Sequence, residues 1–421
     1  MRKRLKGRSY KISSRIALSC LVAGTVVLNN GITVRALEVN NNASSANESK
    51  ALIKEEHKFL VDEDIKSYHD ISKIKEFAGF DFKLPNCILD GDEVGSLQLI
   101  KTADNKNAIQ IYFHNNNNYK NDYDMEIFQT DPEETLKKIN ELHGYSKEMN
   151  TTKQSLTIGG LNGEDITLTI TSPKEEADGY VIDESKETKK YFVWQENGTW
   201  YSICYSSQYT SGEYDKQLES LSQDNIEKIS SSLMDLSKIN NVNYSMEKEE
   251  LSTECALMAI YDKDDLKEAE NILGFNPKMP LKINDDITIK QSAVGICGDS
   301  DIENNNIKYE LNSFYSNKEG SITFNQSKAD AFNKYDSIKK NGYVTETYLD
   351  ENNQEREKKI NVEKVEFSDK EVFKYLENSE NGNDAVYMWK DGDIYYSLCF
   401  FNANEDCDEI AEEFVNSKTI E

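Results

Sequence analysis

Gly79-Phe80-Asp81-Phe82-Lys83-Leu84-Pro85 returns as Gly274-Phe275-Asn276-Pro277-Lys278-Met279-Pro280, an offset of 195 residues. A second landmark keeps that offset. Trp194, then Trp200-Tyr201-Ser202-Ile203-Cys204-Tyr205, returns as Trp389, then Tyr395-Tyr396-Ser397-Leu398-Cys399-Phe400. Two landmarks in unchanged order and register argue for a duplicated domain. The expected organisation is a repeat domain over 63–238, a connector over 239–260 and a second repeat domain over 261–421. Each repeat is long enough to bury its own core.

Outward from the landmarks, local patterns predict elements. Ile71, Ile74, Phe77 and Ala78 share one helical face before Gly79, and Leu266, Ala269, Ile272 and Leu273 do so before Gly274. In both copies a proline six residues after the glycine blocks helical continuation. Ile109, Ile111 and Phe113 alternate with polar or mixed neighbours, as do Ile307, Tyr309 and Leu311, which predicts strands. Thr130 or Asp131 caps a middle helix, and Ser222 a final one. Asn197-Gly198 and Asp391-Gly392 predict tight hairpins ahead of the aromatic strands. The order helix, three strands, helix, about four strands, helix predicts an α+β fold. It consists of two tandem homologous domains, each an antiparallel sheet with about three helices packed on it.

The first 36 residues differ from the rest. Arg2, Lys3, Arg4, Lys6, Arg8, Lys11 and Arg15 precede an apolar stretch from Ile16 to Leu28, and Val34-Arg35-Ala36 ends in small residues. This pattern predicts a secretory signal peptide over 1–36, followed by a flexible spacer over 37–62. The protein is expected to be secreted or at the cell surface. If the signal is not cleaved, residues 16–34 would anchor it and provide its only membrane contact. Removing 1–36 leaves 41 basic against 76 acidic residues, a net charge of −35. Such a field opposes nucleic acid and anionic membrane surfaces.

Six cysteines remain: Cys87, Cys204, Cys255, Cys297, Cys399 and Cys407. In an exported chain they are candidates for disulfides, with fifteen pairings open, or for buried thiols. No CxxC motif, phosphate loop or nucleophile motif occurs, so no catalytic residue and no cofactor is expected. Asp299 to Glu310 shows a faint calcium-loop spacing, but Asn304 stands where glycine is required. The candidate binding surface is the aromatic set Trp194, Trp200, Tyr201, Trp389, Tyr395 and Tyr396. It could form a platform for peptide or sugar. Its alternation also fits sheet core, the commoner use of aromatic strand residues.

The helix–Gly-Phe–x–x–Lys–(Leu/Met)–Pro landmark, the tryptophan hairpin and the helix opening Leu221-Ser222-Gln223-Asp224-Asn225-Ile226 together resemble a Gram-positive extracytoplasmic domain of unknown function. That domain recurs in lipoproteins and in membrane proteins similar to anti-sigma factors. The first unit resembles it over most of its length, and the second at both ends. The resemblance implies no catalytic residues. The expected function is a non-catalytic binding or sensing module with a protein, peptide or cell-wall ligand. The alternatives are a secreted hydrolase using acidic residues and an acidic cation-binding protein.

Overall fold

Residues 58–420 are described in the computed structural model of the chain, apart from 103, 117–121, 143–147, 178–179, 212–213, 218–220, 249–250, 253–255, 299, 301–305, 317–319, 332–333, 350–353, 380–381 and 404–406. The signal segment therefore lies outside the described residues. Two compact units are present. The first is Glu63–Lys248, and the second is Glu249–Glu421 together with the segment ending at Asp62.

The main sheet of the first unit contains β1 (Ile65–Tyr68), β2 (Asp92–Lys101), β3 (Asn107–Asn115), β4 (Tyr123–Phe128), β5 (Glu148–Ile158), β6 (Leu161–Ser172), β7 (Ser185–Glu196) and β8 (Thr199–Ser211). Their spatial order is β1-β2-β3-β4-β8-β7-β6-β5, with a short strand, Tyr214–Gln217, added alongside β8. The second unit has β9 (Leu257–Ala259), β10 (Thr288–Ile296), β11 (Tyr309–Ser316), β12 (Ser321–Ser327), β13 (Glu363–Phe367), β14 (Lys370–Ser379), β15 (Gly382–Asp391) and β16 (Ile394–Phe400). Their order is β9-β10-β11-β12-β16-β15-β14-β13, the same path through space. Neighbouring strands are antiparallel in both sheets.

Helices occupy matching places. These are α1 (Ile71–Ala78), α2 (Pro132–Leu142) and α3 (Gln223–Ser230) in the first unit, and α4 (Lys263–Leu273), α5 (Lys334–Asn341) and α6 (Asp408–Asn416) in the second. Their ends follow the local chemistry. Asp70 caps α1 by accepting from Ser72 N–H, and Asp262 with Asp265 forms a capping box on α4. Gly79 and Gly274 close these helices at φ of 79° and 71°, in the left-handed region that costs glycine nothing. Ser222 caps α3. Helix α2 lays Leu136 and Ile139 on Ile166, Leu168, Tyr191 and Val193. In the second unit Tyr335 and Ile338 of α5 pack on Phe373, Tyr375, Val386 and Met388. A hairpin, Tyr343–Leu349 with Glu355–Asn361, adds Val344 and Ile360 to that layer. On the opposite sheet face, Phe414 of α6 meets the rings of Tyr315 and Phe324. Each fully buried side chain of this size contributes about 2–3 kcal/mol.

The α+β expectation is overturned. About half of the structure is strand and about a fifth is helix, and the six α-helices among the described residues run for only eight to eleven residues. The fold is β-rich, built on two extended antiparallel sheets. Periodic apolar spacing signals that a helix is present but says little about its share of the fold. Strands β1 and β9 are too short to show an alternation.

Two boundaries also differ from the composition-based expectation. Leu60 and Val61 are buried, Leu60 N–H donates to Tyr261 O, and Asp62 N–H donates to Ile289 O. Asp62 also pairs with Lys290 at 2.8 Å. The end of the spacer is thus a strap on the second unit. Within 239–248 the chain is packed on the first unit. Tyr244 is buried, its hydroxyl donates to Pro85 O, and Met246 N–H donates to His69 O.

Candidate functional site

The aromatic set is placed by the hairpins. Asn197 and Gly198 take φ of 51° and 87°, which pairs Trp194 with Tyr201 and Phe192 with Ile203 on one face of the sheet. Trp194, Tyr201, Trp389 and Tyr396 are at most 4% exposed. Trp194 stacks on Tyr201 at 5.5 Å, and Trp389 on Tyr396 at 5.0 Å. Trp200 and Tyr395 point to the opposite face and are half-buried. Trp200 packs with the α2 cluster, and Tyr395 meets the ring of Tyr335. Neither unit presents its three on an open surface, because their alternation follows the pleat into two core layers.

Within each unit the two repeated landmarks touch. Lys83 N–H donates to the Tyr201 hydroxyl at 3.0 Å, and its Nζ pairs with Glu196 at 2.5 Å. In the second unit Lys278 N–H donates to Gln326 Oε1 at 2.8 Å, and Gln326 Nε2 donates to Lys278 O at 2.5 Å. Lys278 Nζ lies 5.2 Å from the Tyr396 ring centroid and donates to Val415 O at the end of α6. Burial, with Lys370 close by, pulls the Lys278 ammonium down to about 8. The repeated residues therefore clamp a loop to a hairpin, which is a structural task.

The face of the first sheet covered by α2 carries polar chemistry. Strand register sets Gln98, Gln110, Glu126 and Ser202 side by side across β2, β3, β4 and β8. Glu126 is 1% exposed and Ser202 is fully buried, and the Ser202 hydroxyl donates to Glu126 Oε2. Burial pushes the Glu126 carboxyl up to about 8, with Asp124 adding to the shift. One row further along, Asp124 faces Cys204. Asp124 borders a cleft of about 140 Å³ together with Tyr112, Asp122, Glu187, Lys189, Cys204 and Tyr205. Burial raises Asp124 to about 6, although Lys189 acts against the shift. Lys189 Nζ donates to Asn140 Oδ1 of α2 at 2.9 Å and lies 3.5 Å from Glu187. Burial disfavours the Lys189 charge, but Glu187 and the nearby acids hold it above its ordinary value. The Tyr112 hydroxyl donates to Asp122 and the Tyr205 hydroxyl to Asp165.

The second sheet has no such cluster at matching positions. Its row reads Ala293, Asn312, Asn325 and Ser397, and Thr323 stands where Asp124 stands. The sequence held one signal for the site. Asp124 and Glu126 alternate with Met125 and Ile127 and so read as a polar face, and only Phe128, next on that face, hints that it packs.

Cys87, Cys204 and Cys399 are free thiols. Burial pushes Cys204 and Cys399 above the ordinary thiol range, so they are poor nucleophiles. Cys297 is buried and Cys407 sits at the start of α6, while Cys255 lies outside the described residues. Half of the faint calcium-like stretch, including Asp299, Asp301 and Glu303, also lies outside them. Among the described residues no group of three or more His, Cys, Asp or Glu is arranged to hold a metal ion, and no helix is long and apolar enough to cross a membrane.

No protein-family model matches the chain, and no curated protein matches it.

Proposed function

We propose that the chain is an exported, non-catalytic binding or sensing module whose ligand contact lies in the first unit. The observation that carries this reading is the cleft at Asp124 and Lys189, with mixed charges and tyrosine hydroxyls at its wall. The basic–apolar–small-residue start of the sequence supports export. The shared strand order of the two sheets supports a tandem of related domains. In keeping with the resemblance drawn from the landmarks, the module belongs among Gram-positive extracytoplasmic domains.

The hydrolase reading draws on Asp124 and Glu126, two acids with raised pKa values. A general acid must reach the atom it protonates. Glu126 is sealed at 1% exposure and already accepts from Ser202, so it does not offer a second acid to a substrate. The cleft is also smaller than the roughly 300–1,000 Å³ usual for small-molecule sites. A single side chain of a peptide or protein fits it better than a whole sugar.

The test uses residues 37–421, immobilised and exposed to solubilised cell-wall fragments and to a library of extended peptides. Retention that is lost in Lys189→Met and kept in Trp200→Ala supports the reading. No retention of any fraction, or retention indifferent to Lys189, overturns it.

A further inference from the structure

Glu126 and Asp124 lie two residues apart on β4 and share a face of the sheet. The groups that face them come from every neighbouring element. β3 supplies Gln110 and Tyr112, β7 supplies Glu187, Lys189 and Tyr191, β8 supplies Ser202 and Cys204, and α2 supplies Asn140. Asp122 stands at the head of β4. The other charges on the same side of α2, Glu133 and Lys137, pair with each other, and Glu133 also pairs with Lys153. Glu187, Asp124 and Glu126 thus all act on a single cation, Lys189, and Glu126, the innermost of them, is buried.

The second unit provides an internal comparison. At the Glu126 position it places Asn325, a neutral side chain one methylene shorter, and Thr323 replaces Asp124. The common strand path therefore tolerates a neutral polar row at this depth. The first unit holds a carboxyl there, and a carboxyl in such a place favours its protonated form.

We infer that the row Gln98, Gln110, Glu126 and Ser202, with Asp124 beside it, is a proton-binding site of the first unit that the second unit lacks, and that its occupancy sets how firmly α2 closes over the sheet. The link to α2 is Lys189. Its ammonium is shared between Asn140 Oδ1 on the helix and Glu187 on the sheet, within the field of Asp124 and Glu126. When Asp124 and Glu126 carry charge, Lys189 is drawn toward them and its bond to Asn140 weakens. When they are protonated, Lys189 stays with Asn140 and the helix is held. The raised pKa values of both acids agree in direction. The folded unit binds more protons than the unfolded chain between the ordinary carboxylate range and about 8, so its stability falls as pH rises through that window. The inference does not depend on what, if anything, the cleft binds.

The experiment is amide exchange by mass spectrometry on the whole chain at roughly pH 5 and roughly pH 9, corrected for the intrinsic rate. Protection in α2, β4 and the start of β8 is expected to fall by about tenfold or more at the higher pH. Segments 321–327 and 394–400 of the second unit provide the contrast and are expected to keep or gain protection, because Lys278 acts there with the opposite sign. Glu126→Gln should remove most of the dependence. Infrared difference spectra of the unaltered protein give a second readout that needs no variant to fold: a protonated carboxyl band at neutral pH. An equal fall in both units, no fall at all, an undiminished dependence in Glu126→Gln, or absence of the carboxyl band overturns the inference.

Discussion

Gln326→Leu should destabilise the second unit selectively. Gln326 is 1% exposed, and its amide makes two bonds to one backbone residue, accepting from Lys278 N–H at 2.8 Å and donating to Lys278 O at 2.5 Å. Leucine has a similar volume and no polar atom. It strips the side-chain partner from both backbone groups in a loop where Lys278 is 8% exposed, and water cannot readily replace it. Leaving a buried donor or acceptor without its partner costs roughly 1–3 kcal/mol each, offset by about 1 kcal/mol for burying an apolar group in place of an amide. The expected loss is therefore about 3 kcal/mol. It should appear as lower urea stability of the second unit, read from amide exchange across 274–281 and 394–400, with the first unit unchanged as the internal standard. A loss below about 0.5 kcal/mol, or an equal loss in both units, would refute the claim that this amide holds the landmark loop in place.

In the first unit Tyr201 gives the corresponding loop a single bond, accepting from Lys83 N–H, so Tyr201→Phe should cost only about 1 kcal/mol in the same assay. Gly163→Ala should destabilise the first unit by about 2 kcal/mol or more in thermal melts, because the new Cβ would lie 2.3 Å from Val193 O in the paired strand. Lys278 titrates near 8 in the folded unit and near 10.5 when unfolded, so the unfolded chain holds its proton more tightly. Stability of the second unit should rise with pH from about 8 to about 10, and urea titrations of Lys278→Met across that range should show the rise removed. The two units thus depend on pH with opposite sign.

The parts of this fold visible in the sequence are those set by neighbouring residues. The left-handed glycines at 79 and 274, the Asn197-Gly198 turn and the Ser222 cap each follow from steric or hydrogen-bonding rules that act within a few residues. The aromatic alternation in Trp200–Tyr205 marks a strand but not which of its faces meets solvent, and here both faces pack. The polar row was hidden because its members come from four strands, with Gln98 and Ser202 more than a hundred residues apart, and only register aligns them. The alternation of Asp124 and Glu126 with Met125 and Ile127 reads as a solvated face, and only Phe128 on that face left a trace. The clamp roles of Lys83 and Lys278 were also beyond local reading, since the same lysine is held by a tyrosine hydroxyl in one unit and by a glutamine amide in the other. The strap at Leu60 and Val61 follows a run of Asn, Ser and Glu whose composition masks it.

That strap changes the connectivity of the chain. The polypeptide lays Leu60–Asp62 on the second unit, builds the whole of the first, and only then completes the second. The first unit is thus an insert, and its two ends lie close together, with Asp70 bridging to Ser245 and His69 O accepting from Met246 N–H. A protease that cuts one of the two joints leaves the insert attached through the other, so shedding it requires two cuts. Conversely, joining Asp62 directly to the segment after Lys248 would remove the insert and leave the second unit with every strand it now has.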